Sequence, residues 1–450
     1  MKLLRTSIPV SSQIEIQNGR KASKGQYVLL WIRQTARFEY NLALNYAIHE
    51  GNLRKLPILS VFCVDDCYPV SLRHLFFQLK GILELKKNLS FVGIPLIITR
   101  DHSRFLGLLS KAEVLIADKT YFSNNFEKSN EFASVIENKP FITVETETIC
   151  PVKLVSNKEE YSAATFRPKI NRLIDEYLFI IETITPKIRI DCSEYEEISD
   201  YDIDNILMNA DCSVPESSFF LPGESEAVKR LNYFLDNNLK KYPELRSDPS
   251  VDCQSNLSPY LHFCQISPLK IAIEAIKTGI DSSKFLDELI VRRELSFNFV
   301  TYNLNYNNYF CLPEWSRKTL EENRIHSREY VYPLEAFEKA STHDEYWNAA
   351  QKELLATGKM HNYMRMYWGK KILEWSKTPE EAFSNALFLN NKYSLDGNDP
   401  NSFAGVAWCF GKHDRAWPER KIYGKVRYMN SKGLERKFDM NLYLKRVAGF

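Results

Sequence analysis

The segment from Thr357 to Ser376, TGKMHNYMRMYWGKKILEWS, combines oxidisable side chains with positive charge. It holds two Trp, two Tyr and three Met beside one Arg and three Lys. Helical spacing places His361, Trp368 and Trp375 on one face, with the two indoles two turns, roughly 10 Å, apart. That face is either an aromatic stripe of the core, as large aromatics usually are, or a relay for electrons. The segment alone leaves both interpretations open.

Three other stretches carry groups that could bind or orient a ligand. Small polar side chains precede a helix in QSNLSPYLHFCQIS (residues 254–267), where phosphate or sugar oxygens can be held. Glu288 and Arg292 fall one helical turn apart, and the alternative for them is a surface ion pair of little energetic value. Asp396 and Asp399 lie in a turn-rich loop, where acidic residues commonly serve turn chemistry. Each signal is weak when it stands alone.

The C-terminal segment is basic although the whole chain is nearly neutral. The chain has 59 Lys and Arg against 57 Asp and Glu, so affinity for nucleic acid needs a local patch. Residues 411–450 supply one, with eleven Lys and Arg against four acids. Trp408, Trp417, Tyr423 and Tyr428 interleave with these charges, which suits a groove that follows phosphates and stacks a base. The alternative is a solvated helical face.

The first half of the chain is predicted to form an α/β domain. Short β-rich runs alternate with helical segments, which predicts a doubly wound parallel sheet that binds ligands at the carboxyl ends of its strands. The runs are YVLLWI (27–32), LPILSVFCV (56–64), IPLIIT (94–99), VLIAD (114–118) and FITVETET (141–148). Neither GxGxxG nor GxxxxGK[ST] occurs, so the standard dinucleotide and triphosphate motifs are missing.

The second half has a helical period and is predicted to be all-α. Residues 25–150 form the expected α/β domain, residues 151–225 a polar inter-domain linker, and residues 226–450 a helical domain. Acidic first turns such as TPEE supply helix starts in this last region.

Cysteine usage and hydropathy indicate a cytoplasmic or nuclear protein. The nine Cys are scattered, odd in number and without a CxxC pair, which argues against a disulfide framework or a zinc site. The N-terminal residues lack the apolar core of a signal peptide, and no apolar run of about 18 residues occurs. We therefore expect no metal centre and no membrane span.

Five long strings, taken in order, resemble the class II cyclobutane pyrimidine dimer photolyases of the cryptochrome/photolyase family. They are LSPYLHFCQIS, FLDELIVRRELSFNF, YWNAAQKELLATGKMHNYMRMYWGKKILEWS, LDGNDPNSFAGVAW and HDRAWPERKIYGKVRYM. The similarity continues through residues 149–170 into the α/β half and covers about residues 25–445. The resemblance implies an FAD-binding helical domain and, in the α/β half, an optional antenna chromophore of deazaflavin or folate type.

The resemblance also implies roles at matching positions of this sequence. The FAD-binding positions are Tyr242, Ser255, Asn256, Leu257, Ser258, Arg365, Asp396 and Asp399, with Asp396 the partner of Arg365. The catalytic positions are Glu288, Met366 and Trp408, which would contact the dimer, and Asn390, near the flavin N5 edge. The electron relay would be Trp347, Trp368 and Trp375. Arg246 matches a position close to the lesion and the DNA. The other predicted DNA-binding residues are Arg292 and, from the basic C-terminal segment, Trp417, Lys425 and Arg427. Lys370 and Lys371 are interpreted as the solvated back of the relay helix.

The implied activity is light-driven repair of pyrimidine dimers in DNA. Excited reduced FAD would pass an electron to a flipped-out dimer, in line with the known action of photolyases on an extruded nucleotide. The expected enzyme is a deoxyribodipyrimidine photolyase, a carbon–carbon lyase, acting as a monomer on UV-damaged DNA. The alternatives are a cryptochrome-like flavoprotein photoreceptor without repair activity, and a protein of this fold that binds no flavin.

Several residues depart from the family pattern near the expected flavin, lesion or antenna sites. In the α/β half, Thr35 and Tyr40 replace acids, which predicts weaker antenna binding. In the helical half, Cys264 and Asn362 replace Gly, Phe297 replaces Asp, and Asn398 replaces Arg. The loop CFGKHD after Trp408 is also one residue shorter than usual. Altered activity or neutral divergence would each produce such changes.

Overall fold

The strands of the protein lie in the first half of the chain. The computed structural model describes residues 4–20, 24–64, 71–122, 126–195 and 200–450. Its strands are β1 (Leu4–Thr6), β2 (Ile14–Ile16), β3 (Tyr27–Ile32), β4 (Ile58–Cys63), β5 (Leu96–Thr99), β6 (Ala112–Asp118), β7 (Phe141–Val144) and β8 (Phe179–Ile181). Strands β3, β4, β5 and β7 fall in the runs that the sequence predicts, and β6 begins two residues before its predicted run.

Six strands form a doubly wound sheet in the order β2-β7-β6-β3-β4-β5. Strands β3 to β7 are parallel to their neighbours, whereas β2 runs antiparallel along the edge of β7. The chain moves from β3 outward to β4 and β5, then returns to the other side of β3 for β6 and β7. The predicted α/β class is therefore confirmed, and β1 pairs separately with β8.

In the described ranges, eight helices precede residue 210: four alternate with the strands of the sheet, and four lie in the stretch that follows the last strand of that sheet. Those of the first half are α1 (Leu42–Arg54), α2 (Leu72–Phe91), α3 (His102–Lys111) and α4 (Asn130–Ile136). Those of the next stretch are α5 (Val152–Val155), α6 (Ala163–Ile170), α7 (Ile174–Tyr177) and α8 (Asp200–Met208). Strand β3 is buried on both faces: Val28 and Leu30 belong to the core beside α1, and Leu29 and Trp31 to the core beside α3.

The rest of the chain is helical, as predicted. Its first helices are α9 (Glu224–Asn237), α10 (Tyr242–Leu245), α11 (Ser258–His262), α12 (Pro268–Lys277), α13 (Ser283–Leu286), a π turn (Asp287–Arg292) and α14 (Arg293–Tyr302). Then follow α15 (Glu314–Glu322), α16 (Leu334–Glu338), α17 (Glu345–Thr357), α18 (Asn362–Trp375), α19 (Pro379–Tyr393), α20 (Pro400–Cys409), α21 (Ser431–Glu435) and α22 (Met440–Ala448). Four short 3-10 turns lie at Ser11–Gln13, Phe126–Lys128, Cys192–Tyr195 and Tyr309–Cys311.

Two buried arginines join the sheet region to the helical region through carbonyl oxygens. Arg37 donates to the carbonyls of Thr146, at 2.8 Å, and Cys264, at 3.1 Å. Arg73 of α2 donates to the carbonyls of Pro215, Leu354, Leu355 and Tyr393. Because a buried guanidinium needs several acceptors, each arginine fixes the loops around it.

The interpretation of Lys370 and Lys371 as a solvated helix face is wrong. Both side chains are buried, because α17, α19 and α20 pack around α18. The Nζ atom of Lys370 donates to the carbonyl of Cys409 at 2.5 Å, and that of Lys371 donates to Glu374 at 2.6 Å. The sequence showed charge at these positions but not the neighbouring helices that surround it.

The described cysteines are free thiols, and Cys67 lies outside the described residues. Among the helices of the described ranges, none is long and apolar enough to cross a membrane.

Candidate active site

A cavity of about 380 Å³ opens in the helical region, and its walls carry most of the predicted site residues. It lies between the π turn, α11, the first turns of α18, the loop after α19, and α20. Twelve predicted residues line it: Tyr242, Arg246, Ser255, Asn256, Leu257, Ser258, Glu288, Arg292, Arg365, Asp396, Asp399 and Trp408. This volume is in the range of small-molecule sites. Residues spread over more than 160 positions of the chain therefore converge on one space.

Two predicted catalytic residues do not line the cavity. Asn390 is buried on α19, and its Nδ2 lies 2.6 Å from the hydroxyl of Ser402 on α20. Met366 follows Arg365 on α18 and is half-buried, with its carbonyl near the thiol of Cys409. Met366 lies on α18, which contributes Arg365 to the wall, whereas Asn390 lies on α19, which contributes none of the lining residues that the structure describes.

Lys359 is a half-buried cation in the cavity wall that the sequence analysis missed. Its Nζ donates to Oε1 of Gln254 at 2.7 Å and to Oδ1 of Asn256 at 2.9 Å. Burial lowers the pKa of Lys359, and the negative charge of Asp396 partly opposes that shift. Because its hydrogen-bond partners are neutral amide oxygens, this lysine can bind an anion such as a phosphate without first breaking an ion pair. Gly358, at φ 81°, ends α17 and directs the next residue into the cavity. This helix-ending glycine is the local sequence signal that could have drawn attention to Lys359.

Two carboxylates in the loop after α19 each lie close to a basic side chain from another helix. Nη2 of Arg365 lies 3.0 Å from Oδ1 of Asp396, as the family resemblance predicts. Burial alone would raise the pKa of Asp396, but Arg365 outweighs it and leaves that pKa below its ordinary value. Asp399 caps α20 through the backbone N–H of Asn401 and lies 3.5 Å from Nδ1 of His262. His262 is a second residue that the sequence analysis missed.

Glu288 lies on the π turn at the rim of the cavity and contacts two arginines. Its Oε1 accepts from Nη1 of Arg246 at 2.6 Å and is 3.2 Å from Nε of Arg292. Helical segments with i→i+5 bonding are frequent at functional sites, where they redirect side chains. The pair that sequence spacing predicts between Glu288 and Arg292 is thus present, and Arg246 joins it.

The three predicted relay tryptophans form one continuous buried stack. The rings of Trp347 and Trp368 are nearly parallel, at 6°, with centroids 6.2 Å apart. The ring of Trp375 meets that of Trp347 edge-on at 6.1 Å. Trp347 donates from Nε1 to the carbonyl of Trp368 at 3.0 Å, and Trp368 donates to Oε1 of Gln351 at 2.9 Å. Trp347 therefore lies between Trp368 and Trp375, which are two helical turns apart on α18.

The basic C-terminal segment begins with a stack of two indoles and one guanidinium. The guanidinium of Arg427 lies 5.1 Å from the Trp408 ring and 4.3 Å from the Trp417 ring. Arg427 also forms a two-bond ion pair with Asp414, at 2.9 and 3.0 Å. Lys425, by contrast, is exposed. Of the predicted DNA contacts in this segment, Lys425 has a free surface position and Arg427 is held within the fold.

The substituted positions have local explanations of different kinds. Cys264 and Asn398 have positive φ values of 51° and 58°, a region that favours Gly and admits Asn. Phe297 is buried and lies 4.6 Å below the guanidinium of Arg293. Asn362 lines the cavity as the first residue of α18.

Comparisons with known proteins identify the family. The DNA photolyase family model matches residues 28–188. A deoxyribodipyrimidine photo-lyase of Methanothermobacter thermautotrophicus is 44% identical over 446 residues, which cover 98% of each chain. The corresponding enzyme of Arabidopsis thaliana is 36% identical, over 97% of this chain and 94% of its own. That of Potorous tridactylus is 33% identical, over 94% of this chain and 82% of its own. The chain belongs to the DNA photolyase family. The expected class of enzyme, a deoxyribodipyrimidine photo-lyase, is confirmed by these relatives.

Solved structures of low sequence identity confirm the fold. A class III photolyase of Agrobacterium tumefaciens matches with a TM-score of 0.67 and 19% identity, over 95% of this chain and 88% of its own. An archaeal photolyase of Sulfolobus tokodaii, solved with two FAD molecules, matches with a TM-score of 0.69 and 19% identity, over 93% and 89%.

Proposed function

We propose that this protein repairs cyclobutane pyrimidine dimers in DNA, using light and a bound FAD. The observation that carries the proposal is the cavity, whose lining combines the half-buried cations Lys359 and Arg365 with Glu288 and Trp408. The full-length similarity to several deoxyribodipyrimidine photo-lyases supports it. Within the family we propose class II, on the strength of the five long strings of the sequence analysis.

The residues of the cavity fit a flavin dinucleotide. Lys359 offers a half-buried positive charge for a diphosphate, and Ser255 and Ser258 offer hydroxyl groups for the sugar and ribityl oxygens. Arg365, held by Asp396, is suited to the polar edge of the ring system. When bound and reduced, FAD would supply the light-excited electron that opens the cyclobutane ring. We propose Tyr242, Asn256, Leu257 and Asp399 as further binding residues.

The rim of the cavity would bind and orient the extruded dimer. Glu288 is already held by Arg246 and Arg292, so its carboxylate is fixed in place before the substrate arrives. The dimer gains negative charge when it accepts the electron, and the two guanidinium groups that Glu288 positions are preorganised donors for that charge. Trp408 offers an aromatic surface at the same rim. We propose that Met366, beside Arg365 on α18, and Asn390 also take part in catalysis.

The tryptophan stack would conduct electrons between the cavity side of α18 and the protein surface. Three indoles with centroids about 6 Å apart and little exposure to water are suited to rapid hops. The stack also favours a second candidate function, a cryptochrome-like photoreceptor without repair, because either protein would use it. Glu288 and Trp408 at the cavity rim favour repair.

UV-damaged DNA would lie along the basic C-terminal segment. Arg246, Arg292, Trp417, Lys425 and Arg427 are the proposed contacts, with Trp417 and Arg427 shaping the surface and Lys425 meeting phosphates. Because DNA is the substrate, we propose that a monomer acts inside the cell, in cytoplasm or nucleus. The proposed boundaries stay at residues 25–150, 151–225 and 226–450.

We leave an antenna chromophore out of the proposed reaction. At the carboxyl ends of β3 and β6, the carboxylate of Asp118 accepts from the backbone N–H groups of Arg33, Gln34 and Thr35 at 2.7, 2.8 and 3.1 Å. Ligands of doubly wound sheets bind at this kind of switch point, often through such N–H groups. Here the Asp118 carboxylate already accepts the hydrogen bonds of these N–H groups, which would otherwise be offered to a ligand.

The test is a repair assay on the purified full chain. An absorption spectrum should show bound flavin, and its absence would contradict both photochemical functions. The reduced protein should restore thymine absorbance in a dimer-containing oligonucleotide under near-UV and blue light and not in the dark. Light-independent recovery, or no recovery with flavin present, would refute the repair function, and the second outcome would favour the photoreceptor.

A further inference from the structure

The aromatic stack does not end at Trp375. The imidazole of His343 lies 5.0 Å from the Trp375 ring, and the phenol ring of Tyr332 lies 5.8 Å from it. Tyr332 is also tied to the same residue through its backbone, because its N–H donates to the carbonyl of Trp375 at 3.0 Å. Beyond them, Tyr330 stacks on His343 at 3.7 Å and is 38% exposed. Continuous ring contacts therefore run from the buried stack to the surface.

The Tyr332 hydroxyl is arranged to release its proton to His343. Its oxygen lies 2.8 Å from Nδ1 of His343 and accepts from the backbone N–H of the same histidine at 3.0 Å. The backbone group donates to this oxygen, so in the neutral tautomer of His343 that carries its proton on Nε2, the phenolic hydroxyl donates to Nδ1. The separation is within the range at which a base removes a proton.

Burial of Trp375 favours onward transfer. The ring is 3% exposed, and the nearby Nζ of Lys371, 5.4 Å from its centroid, is paired with the Glu374 carboxylate at 2.6 Å. An indole radical cation is a charge placed in these buried surroundings, where charge is costly. A neutral tyrosyl radical avoids that cost, provided that the phenolic proton has a base to accept it.

We propose that Tyr332, with His343 as its proton acceptor, is the terminal electron donor of the tryptophan relay. This proposal rests on the proposed function, which supplies the photo-oxidised Trp375. Tyr332 gives one electron to the Trp375 radical cation, which returns to a neutral indole. The O–H bond of Tyr332 breaks and its proton moves to Nδ1 of His343, leaving a neutral tyrosyl radical and an imidazolium. An external thiol then restores Tyr332 by hydrogen-atom transfer, becoming a thiyl radical, and His343 releases its proton to solvent.

The test is electron paramagnetic resonance on the FAD-containing full chain, illuminated without thiol. The unsubstituted protein should develop a tyrosyl signal after the tryptophan radical. Tyr332→Phe should lose the tyrosyl signal and prolong the tryptophan radical. His343→Gln should slow or abolish tyrosyl formation, because an amide cannot accept the proton. Tyr330→Phe is the matched control: it keeps the stacked ring, loses a hydroxyl, and should leave the signal unchanged.

The outcomes separate this proposal from the one on which it rests. A tryptophan radical with no tyrosyl signal, a signal that persists in Tyr332→Phe, or one that disappears in Tyr330→Phe would overturn the role of Tyr332 alone. No light-induced radical at all would overturn the proposed relay as well. An independent readout is nitrogen NMR of the His343 imidazole without illumination, where Tyr332→Phe should shift the Nδ1 resonance and Tyr330→Phe should not. An unshifted resonance in Tyr332→Phe would refute the hydrogen bond.

Discussion

Nη2 of Arg365 lies 3.0 Å from Oδ1 of Asp396, although the two residues are 31 positions apart in the chain. Arg365 comes from the first turn of α18, and Asp396 from the loop that follows α19. The pair therefore couples the packing of α18 and α19 to the shape of the cavity wall. Since both side chains are largely buried, each depends on the other for compensation of its charge.

Asp396→Asn should weaken flavin retention and the fold together. Because Arg365 would lose a charged partner, we expect the free energy of unfolding to fall by about 1.5–3 kcal/mol. The folded-state pKa of Asp396 is below its ordinary value, so this stabilisation is complete above about pH 4 and is lost as pH falls through the folded value. Denaturant unfolding at several pH values, with exposed Asp236→Asn as control, measures it. Equal effects of both substitutions would contradict the prediction.

Trp347→Phe should interrupt the relay and spare repair. Phenylalanine is smaller than the indole and cannot donate to the Trp368 carbonyl, so we also expect a loss of roughly 2 kcal/mol in the free energy of unfolding. Light-driven reduction of the oxidised protein should slow strongly. Repair by chemically reduced protein should stay near the unsubstituted rate, because Trp347 is not among the residues that line the cavity. Equal losses in both assays would show that the substitution acts through general destabilisation.

Glu288→Gln should lower the rate of dimer repair more than the affinity for damaged DNA. The amide keeps the shape of the side chain but removes the negative charge that holds Arg246 and Arg292. We expect a rate loss of about 10²-fold, the scale found when one oriented polar group is removed from a site of developing charge. Single-turnover repair and a binding titration on the same oligonucleotide give the two numbers. An affinity loss as large as the rate loss would refute a specifically catalytic role.

Lys370→Met should stabilise the protein near neutral pH. Burial lowers the pKa of Lys370 to about 8, with Cys409 and Asp414 partly opposing the shift and Arg427 adding to it. Below that pH the folded state carries a buried charge, so the unsubstituted protein gains stability as pH rises from about 8 towards the ordinary lysine value near 10.4. After loss of the hydrogen bond to the Cys409 carbonyl, we expect a net gain of about 2 kcal/mol at pH 7.

Unfolding curves between pH 7 and pH 10 check this expectation, and the advantage of the Met variant should shrink over that range. Lys371→Met is the control, because Lys371 has a carboxylate partner in Glu374 and its removal should not stabilise the protein. A constant advantage across the pH range would show that apolar packing, rather than charge burial, is responsible.

The α/β sheet and the helical second half were predictable because the spacing of apolar residues along the chain indicates strands in one and helices in the other. Strand β3 is a continuous apolar run, and α17 and α18 have helical spacing. The cavity residues were predicted largely through family resemblance, since no local pattern brings Tyr242 and Trp408 together. Packing between distant helices, which no local period encodes, accounts for what the sequence analysis missed.

Lys359 and Lys370 show this limit most clearly. Each is a lysine in a basic stretch, and composition suggests solvent exposure for both. Lys359 is instead held by Gln254 and Asn256, about a hundred positions earlier in the chain, and Lys370 by the carbonyl of Cys409. A buried charge is recognisable only when its acceptors are known, and these come from other elements.

Lys425→Ala should weaken DNA binding and reduce its dependence on salt. Lys425 is exposed on the basic C-terminal segment, where its backbone carbonyl accepts from Trp417 at 2.8 Å and so fixes its position beside the indole. If it meets one phosphate, the slope of log affinity against log salt should become less steep by about 0.9. Exposed Lys87 on α2 is the matched control, and Lys87→Ala should leave the slope unchanged. An unchanged slope in Lys425→Ala would show that the DNA lies elsewhere on the protein, whatever the loss in affinity.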